Sequence, residues 1–136
     1  MLKDTFTFQG PLGEIECLVE PNRSDNNAVL VMAHGFRGSR DSGGRAAGVA
    51  HQAAAHAAVV RFNFMGTQII SRQVEELHAV LAEVRSRQPG CRLFLLGRSL
   101  GGAASIITAA QDGALAGLIL WATPNNLRFT FRYVMT

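Results

Sequence analysis

Four short apolar runs, separated by longer stretches of helical character, constrain the fold of this 136-residue chain more than any other feature. The run Ala28–Ala33, A-V-L-V-M-A, contains no polar residue, whereas a strand with one solvated face would alternate polar and apolar residues. Three further runs of this style occupy Ala58–Phe64, Arg92–Leu96 and Leu115–Trp121. Such runs indicate strands of a parallel sheet that is covered by helices on both faces.

Helical patterns fill the intervals between these runs, and they are predicted over Gly44–Ala57, Ser71–Arg87 and Leu100–Ala110. The second of them places apolar residues on one face at spacings of three and four. Polar residues near two of the helix starts are predicted N-caps, Asp41 or Ser42 for the first helix and Ser71 for the second. The alternation of helices with buried strands favours right-handed crossovers in a doubly wound sheet.

The N-terminal part has a different pattern. Thr5–Phe8 and Glu14–Cys17 alternate polar and apolar residues on either side of the turn Gly10–Gly13, which predicts an antiparallel hairpin at the edge of the sheet. The predicted element order is β-β-β-α-β-α-β-α-β. The chain is therefore predicted to be a single α/β domain over residues 1–136, with a doubly wound, mostly parallel sheet of about six strands.

Composition excludes several functional classes. Hydrophobic residues make up 48 % of the chain and charged residues 17 %, which suits a compact domain. The net charge of +3 comes from scattered arginines and a single lysine, Lys3; residues such as Arg61 are predicted to be ordinary surface charge, and no nucleic-acid partner is expected. No apolar run approaches the ~20 residues of a membrane span, and no secretory signal is visible, so a cytoplasmic protein with no membrane partner is expected.

The two cysteines give no sign of a metal site. Cys17 and Cys91 are isolated, lie in strand-like stretches and share no metal-type spacing. They are predicted to be reduced, half-buried thiols.

One serine stands between a buried run and a helix, in the sequence G-R-S-L-G. A nucleophilic serine on a sharp strand-to-helix turn needs neighbours without side chains two residues away, which Gly97 and Gly101 provide. The Leu100 N–H, at the start of the helix, would face a developing oxyanion. The pattern predicts Ser99 as a nucleophile. A purely structural Gly/Ser turn is the competing interpretation; a phosphate cradle is disfavoured because the G-x-G-x-x-G spacing and a Walker lysine are absent.

A second glycine-bearing segment, H-G-F-R-G-S, follows the first buried run directly. His34 alone would be interpreted as a structural histidine. Parallel strands bring their carboxyl ends to one edge of a sheet, so His34 and Gly35 are expected near Ser99.

The segments M-A-H-G-F-R-G-S-R-D-S-G-G-R, V-R-F-N-F-M-G, S-R-Q-V-E-E-L and L-L-G-R-S-L-G-G, in that order, resemble the bacterial α/β-hydrolase superfamily, with its small serine esterases and serine-aminopeptidase-like enzymes as the closest group. The resemblance implies cleavage of a carboxylic ester or related acyl bond in a small molecule, through an acyl-enzyme on Ser99. It implies an oxyanion hole formed by the Phe36 and Leu100 amides, with His34 and Gly35 shaping the loop. It implies no cofactor and no metal.

The chain departs from this family where the catalytic partners should be. The family order is serine, then acid, then histidine, but after Ser99 there is one acid, Asp112, and no histidine. The other histidines precede the serine and are predicted on flanking helices; they are His51, His56 and His78.

The resemblance therefore implies an N-terminal part of the fold that lacks the last strands, with the tail 127–135 as a shortened helix. A catalytically inactive binding or oligomerisation module is the alternative, and an acyltransferase using the same serine is not separable by sequence. The missing strands would leave one sheet edge unpaired, which favours self-association through that edge.

Overall fold

The computed structural model describes residues 2–35, 39–41, 44–66 and 69–126. These residues form a six-stranded sheet and three helices in the predicted order. The elements are β1 (Phe6–Gly10), β2 (Gly13–Glu20), β3 (Ala28–Ala33), α1 (Arg45–Ala53), β4 (Ala58–Phe62), α2 (Ile70–Arg87), β5 (Arg92–Arg98), α3 (Leu100–Gln111) and β6 (Gly117–Trp121). The predicted tail helix over 127–135 lies outside the described residues.

The sheet order is β1-β2-β4-β3-β5-β6. The β1–β2 hairpin pairs antiparallel with β4, and the remaining strands are parallel. The predicted fold class, a mostly parallel sheet with an N-terminal antiparallel hairpin, is confirmed. The carboxyl ends of β3, β5 and β6 meet at one edge, where Ala33 is opposite Gly97 and Arg98 is opposite Trp121. Sites in open α/β sheets form at this edge.

Helices cover the sheet on both faces. Val29 and Val31 of β3 point toward α2 and α3, whereas Leu30 and Met32 point toward α1. All six residues of β3 are buried, which explains why this run contains no polar residue.

One arginine contradicts the prediction of ordinary surface charge. Arg61 of β4 is 7 % exposed. Its guanidinium donates to a carboxylate oxygen of Asp41 at 2.8 Å and to the carbonyl oxygen of Arg40 at 3.1 Å. Because a buried guanidinium needs a carboxylate partner, the Asp41 side chain is held by β4.

The predicted helix caps are also wrong where the structure describes them. Helix α1 begins after Gly44, whose φ is 91°, and has no side-chain cap; the Asp41 carboxylate is engaged by Arg61 instead. Helix α2 begins after Ile69, so Ser71 is inside the helix. Ser42 lies outside the described residues.

Both cysteines are free thiols. Cys91 is half-buried as predicted, but Cys17 is fully buried, and this burial raises the pKa of its thiol to about 12. Within the described ranges, no group of three or more His, Cys, Asp or Glu residues could hold a metal ion.

Strand β6 forms one edge of the sheet, with β5 as its neighbour in the described part of the chain. The side chains of Leu118, Ile119, Leu120 and Trp121 are 36 to 48 % exposed. They alternate between the two faces, so large apolar side chains are exposed on both faces of the sheet at this edge. Among the described helices, none is long and apolar enough to cross a membrane.

Candidate active site

The turn between β5 and α3, which we call the serine turn (Gly97–Gly101), holds Ser99 in an unusual backbone conformation. Ser99 has φ 53° and ψ −122°, a combination that non-glycine residues rarely adopt. The carbonyl oxygen of Ser99 accepts hydrogen bonds from the N–H groups of Gly102 at 2.9 Å and Ala103 at 3.3 Å. The strained residue therefore stands at the junction where the strand ends and the helix begins.

Glycines make this geometry sterically feasible. A Cβ on Gly97 would lie 2.6 Å from Ser105 Oγ and 2.8 Å from the Gly101 carbonyl oxygen. A Cβ on Gly101 would collide with the His34 carbonyl oxygen. Gly35 packs against the serine, since a Cβ there would lie 2.9 Å from Ser99 Cβ. The structure thus places Gly97, Gly101 and Gly35 around Ser99, with no room for larger residues.

The end of β6 closes the other side of the serine turn. The Ser99 N–H donates to the Trp121 carbonyl oxygen at 2.9 Å. Ala122, the next residue, has φ 52°, and the Thr123 side chain fills the space beside Gly102. Alanine and threonine give no local sequence signal for a positive φ or a close backbone contact, so the contacts of this segment could not be predicted.

His34 is buried, and both of its ring nitrogens are engaged. Nε2 accepts a hydrogen bond from the Phe64 N–H at 3.0 Å. Nδ1 therefore carries the proton and donates to the Gly35 carbonyl oxygen at 2.9 Å. Burial lowers the pKa of His34 below its usual value, an effect that the Gly35 hydrogen bond and the charge of Glu76 oppose. A neutral imidazole with both nitrogens engaged holds the loop against Ser99 and is not free to accept the serine proton.

Glu76 of α2 fixes the backbone that bonds to His34. Its fully buried carboxylate accepts hydrogen bonds from the Met65 N–H at 2.9 and 3.0 Å and from the Gly66 N–H at 2.6 Å. The sequence analysis did not single out this residue. The available signal was its position three residues after Gln73 and four before Val80, on the buried face of the helix.

The start of helix α3 lies beside Ser99 and brings the Leu100 N–H next to it. Leu100 is the first residue of α3, and the first N–H groups of a helix have no intrahelical partner. Phe36, the other predicted oxyanion donor, lies outside the described residues.

The remaining histidines lie away from Ser99. His51 and His56 accept hydrogen bonds on their carbonyl oxygens from Arg23 and Asn26, which precede β3 at the opposite edge of the sheet. His78 contacts Gln111 at the C-terminus of α3, with 2.7 Å between His78 Nε2 and Gln111 Oε1.

The acid that follows the serine in the chain is at that opposite edge as well. Asp112 forms two hydrogen bonds with Arg85, at 2.6 and 3.0 Å, which lower the pKa of its carboxyl. No described histidine or carboxylate forms a hydrogen bond with the Ser99 hydroxyl.

A small open pocket, with a cavity volume of about 20 Å³, lies on the α1 side of this edge. Its lining is largely apolar, with a few polar side chains, and comprises Met32, Ala33, His34, Ser39, Arg40, Ala46, Leu96, Arg98 and Trp121. Arg98 lies over the indole ring of Trp121, with Cζ 4.9 Å from the ring centroid. A mixture of apolar walls and a few polar groups is typical of the lining of small-molecule sites.

Solved structures with the same arrangement of elements are hydrolases and esterases. An α/β serine hydrolase without a lid from Xanthomonas campestris has a TM-score of 0.79 and 23 % identity, over 93 % of this chain and 65 % of that one. An esterase from Pyrococcus furiosus has a TM-score of 0.86 and 15 % identity, over 98 % of this chain and 56 % of that one.

An α/β serine hydrolase homologue from Coxiella burnetii has a TM-score of 0.75 and 25 % identity, over 88 % of this chain and 62 % of that one. This chain thus spans less than two thirds of the length of each of these structures. No protein-family model and no curated protein sequence matches it.

Proposed function

Because this chain has the α/β-hydrolase fold, we propose that it is a serine hydrolase, or the part of one that carries the nucleophile. The proposed reaction is the cleavage of a carboxylic ester or related acyl bond in a small molecule. The observation that carries this proposal is the strained φ of 53° at Ser99, at the start of a helix and at the carboxyl edge of a parallel sheet. Strain of this kind clusters at functional sites.

Ser99 and Leu100 of the serine turn, together with the segment that follows β3, have roles in the proposed reaction. Ser99 Oγ attacks the acyl carbon, its proton passes to a base, and the leaving group departs to give an acyl-enzyme that water then hydrolyses. The Leu100 N–H stabilises the negative charge that develops on the carbonyl oxygen, and the Phe36 N–H is its proposed partner. His34 and Gly35 hold the loop against the serine without exchanging protons.

The general base is not among the chain's four histidines as they are placed. His34 uses both ring nitrogens, and the other three lie away from the serine. A serine without its base is a weak nucleophile at neutral pH, although an oxyanion hole and substrate binding alone leave about 10³- to 10⁴-fold acceleration over water. The complete reaction therefore needs a general base other than these four histidines.

The lack of a histidine placed to act as the base for Ser99 favours a second candidate function. A chain with a formed serine turn and no base would act as a hydrolase-like binding or oligomerisation module. The two candidates differ in whether Ser99 reacts with an electrophile that mimics an acyl substrate.

Intact-mass analysis after treatment with a fluorophosphonate probe distinguishes the two candidates. We expect one adduct, mapped to the peptide that contains Ser99, and no adduct in a Ser99→Ala variant. Ser71→Ala is the matched control, because Ser71 is an exposed serine at the start of another helix; it should label like the original chain. A folded chain that gains no mass would refute catalysis by this chain alone and support the binding module.

A further inference from the structure

Arg98, the residue before the serine, points into the cavity at the carboxyl edge. Side chains alternate along a strand, so Arg98 shares the α1 face with Leu96 and not the face covered by α2 and α3. Its guanidinium lies over Trp121, at 4.9 Å from Cζ to the ring centroid, and both residues line the cavity. The backbone of Arg98 is in contact with the site as well, since Gly35 packs against the Arg98 carbonyl oxygen and Ser99 Cβ.

Arg98 differs from the other described arginines in its electrostatic surroundings. Four arginines form ion pairs with carboxylates, namely Arg40 with Glu16, Arg61 with Asp41, Arg85 with Asp112 and Arg87 with Glu83. The described arginines outside these pairs are exposed to solvent, apart from Arg98; they are Arg23, Arg45, Arg72 and Arg92. Arg98 is half-buried, and no carboxylate of the described residues pairs with it.

The cavity lining provides no carboxylate to pair with the Arg98 guanidinium. No described residue of its lining is acidic, and the second guanidinium that lines it, Arg40, adds positive charge while its Nη1 is bound to Glu16 at 2.7 Å. His34 is neutral, because its Nε2 accepts a hydrogen bond. A partly desolvated guanidinium with free N–H donors is stabilised by an anion, and its planar fork matches a carboxylate. The apolar walls formed by Met32, Ala46 and Leu96 favour a ligand with a short apolar body.

We propose that Arg98 is a specificity-determining residue that binds a carboxylate on the acyl substrate, so that the preferred substrates are esters with a free carboxylate on a short apolar chain. The substrate assignment rests on the proposed hydrolase function, whereas the anion site itself does not. Arg98 directly precedes Ser99 in the chain, and this places the bound carboxylate within a short acyl chain of the nucleophile.

Trp121 is the only tryptophan of the chain and provides a direct reporter, because Arg98 lies over its ring. The first experiment is a fluorescence titration of the 136-residue chain with butyrate, and with butyramide as the neutral analogue of the same shape. We expect butyrate to change the emission saturably and butyramide to leave it unchanged. We expect added sodium chloride to weaken the butyrate response. Equal responses to the acid and the amide would overturn the proposal, as would the absence of any response.

Two substitutions on β5 form a matched pair. Arg98→Gln should weaken butyrate binding by about tenfold or more, the usual effect of losing a hydrogen bond to a charged group. Arg92→Gln should bind like the original chain, since Arg92 lies over Phe94 at 5.9 Å on the same face but at the other end of the strand. Arg98→Lys keeps the positive charge but lacks the planar guanidinium, so its affinity for butyrate should lie between those of the original chain and Arg98→Gln. An Arg98→Gln chain that binds butyrate normally would refute the assignment.

The titration is independent of hydrolysis. If butyrate binds through Arg98 and no fluorophosphonate adduct forms, the anion site stands and the catalytic proposal fails. If Ser99 is labelled and butyrate does not bind, the catalytic proposal stands and the substrate class is wrong.

Discussion

At the residue scale, steric requirements between near neighbours can be predicted from the sequence, whereas polar contacts between distant residues cannot. The spacing of Gly97 and Gly101 around Ser99 predicts a tight turn because the steric conflict arises within a few residues. The burial of Arg61 depends on the Asp41 carboxylate, which is 20 residues away. The tautomer of His34 depends on a backbone N–H, 30 residues away, that no motif encodes.

The buried His34 makes stability depend on pH. Burial lowers its pKa below the usual 6.5, so the unfolded chain binds a proton more readily than the folded chain near that pH. This contribution to the free energy of unfolding is therefore complete above pH 6.5 and is lost as the pH falls through 6.5 toward the lower folded pKa. We expect a His34→Gln variant, whose amide oxygen still accepts from Phe64, to lose this slope.

Urea denaturation between about pH 5 and about pH 8 measures the slope, in the range where an ordinary histidine titrates. His56→Gln is the control, because that side chain is exposed in the folded chain; it should keep the original profile. An unchanged slope in His34→Gln would show that another group causes the pH dependence.

At the element scale, the order and type of the strands and helices predicted within the described residues are confirmed, but the ends are shifted. The sequence predicts that β5 ends at Leu96, the last large apolar residue, whereas the strand runs to Arg98 because it pairs with β6 as far as Trp121. Helix α1 ends at Ala53 and not at Ala57. The Arg23 N–H donates to the Ala54 carbonyl oxygen at 2.7 Å and stabilises the turn into β4. Strand pairing and hydrogen bonds between elements determine where β5 and α1 end. The local sequence pattern carries no information about either, so it could not predict these ends.

The segment after β6 is strained at Ala122, whose φ is 52°. Glycine adopts a positive φ without the Cβ conflict, so we expect Ala122→Gly to raise the free energy of unfolding by about 1 kcal/mol, after the greater freedom of glycine in the unfolded chain is included. Ala82→Gly, at an exposed position in the interior of α2, should lower it by about 1 kcal/mol. Thermal or urea denaturation of both variants tests this, and a destabilised Ala122→Gly chain would contradict it.

At the scale of the whole molecule, the sheet has one polar edge and one apolar edge. The hairpin strand β1 has polar residues at its exposed positions, such as Thr7 and Gln9, whereas β6 exposes large apolar side chains on both faces. This chain spans less than two thirds of the length of the similar hydrolase structures. The sequence predicts an open sheet edge, and the exposed apolar side chains of β6 are consistent with it.

An exposed apolar edge strand favours pairing with another strand. We therefore expect the 136-residue chain to self-associate through β6 in a concentration-dependent manner, as measured by sedimentation velocity. Ile119→Lys, at a side chain that is 48 % exposed, should shift the distribution toward the monomer because a charge at an edge opposes pairing.

Ile69→Lys is the control for this prediction. Ile69 is 46 % exposed and precedes α2, away from β6, so the same charge there should leave association unchanged. A chain that stays monomeric at all concentrations, or that loses association equally in both variants, would contradict pairing through β6.

The steric need for glycine in the serine turn also limits which substitutions evolution can accept there. Gly97 is required by contacts with Ser105 and Gly101, and Gly101 by a contact with His34; none of these contacts involves a reacting group. Selection for folding alone would therefore preserve the two glycines in a lineage that had lost its catalytic base, whatever residue stood between them. The presence of the two glycines is therefore evidence for the fold, whereas evidence for activity has to come from the reactivity of Ser99 itself.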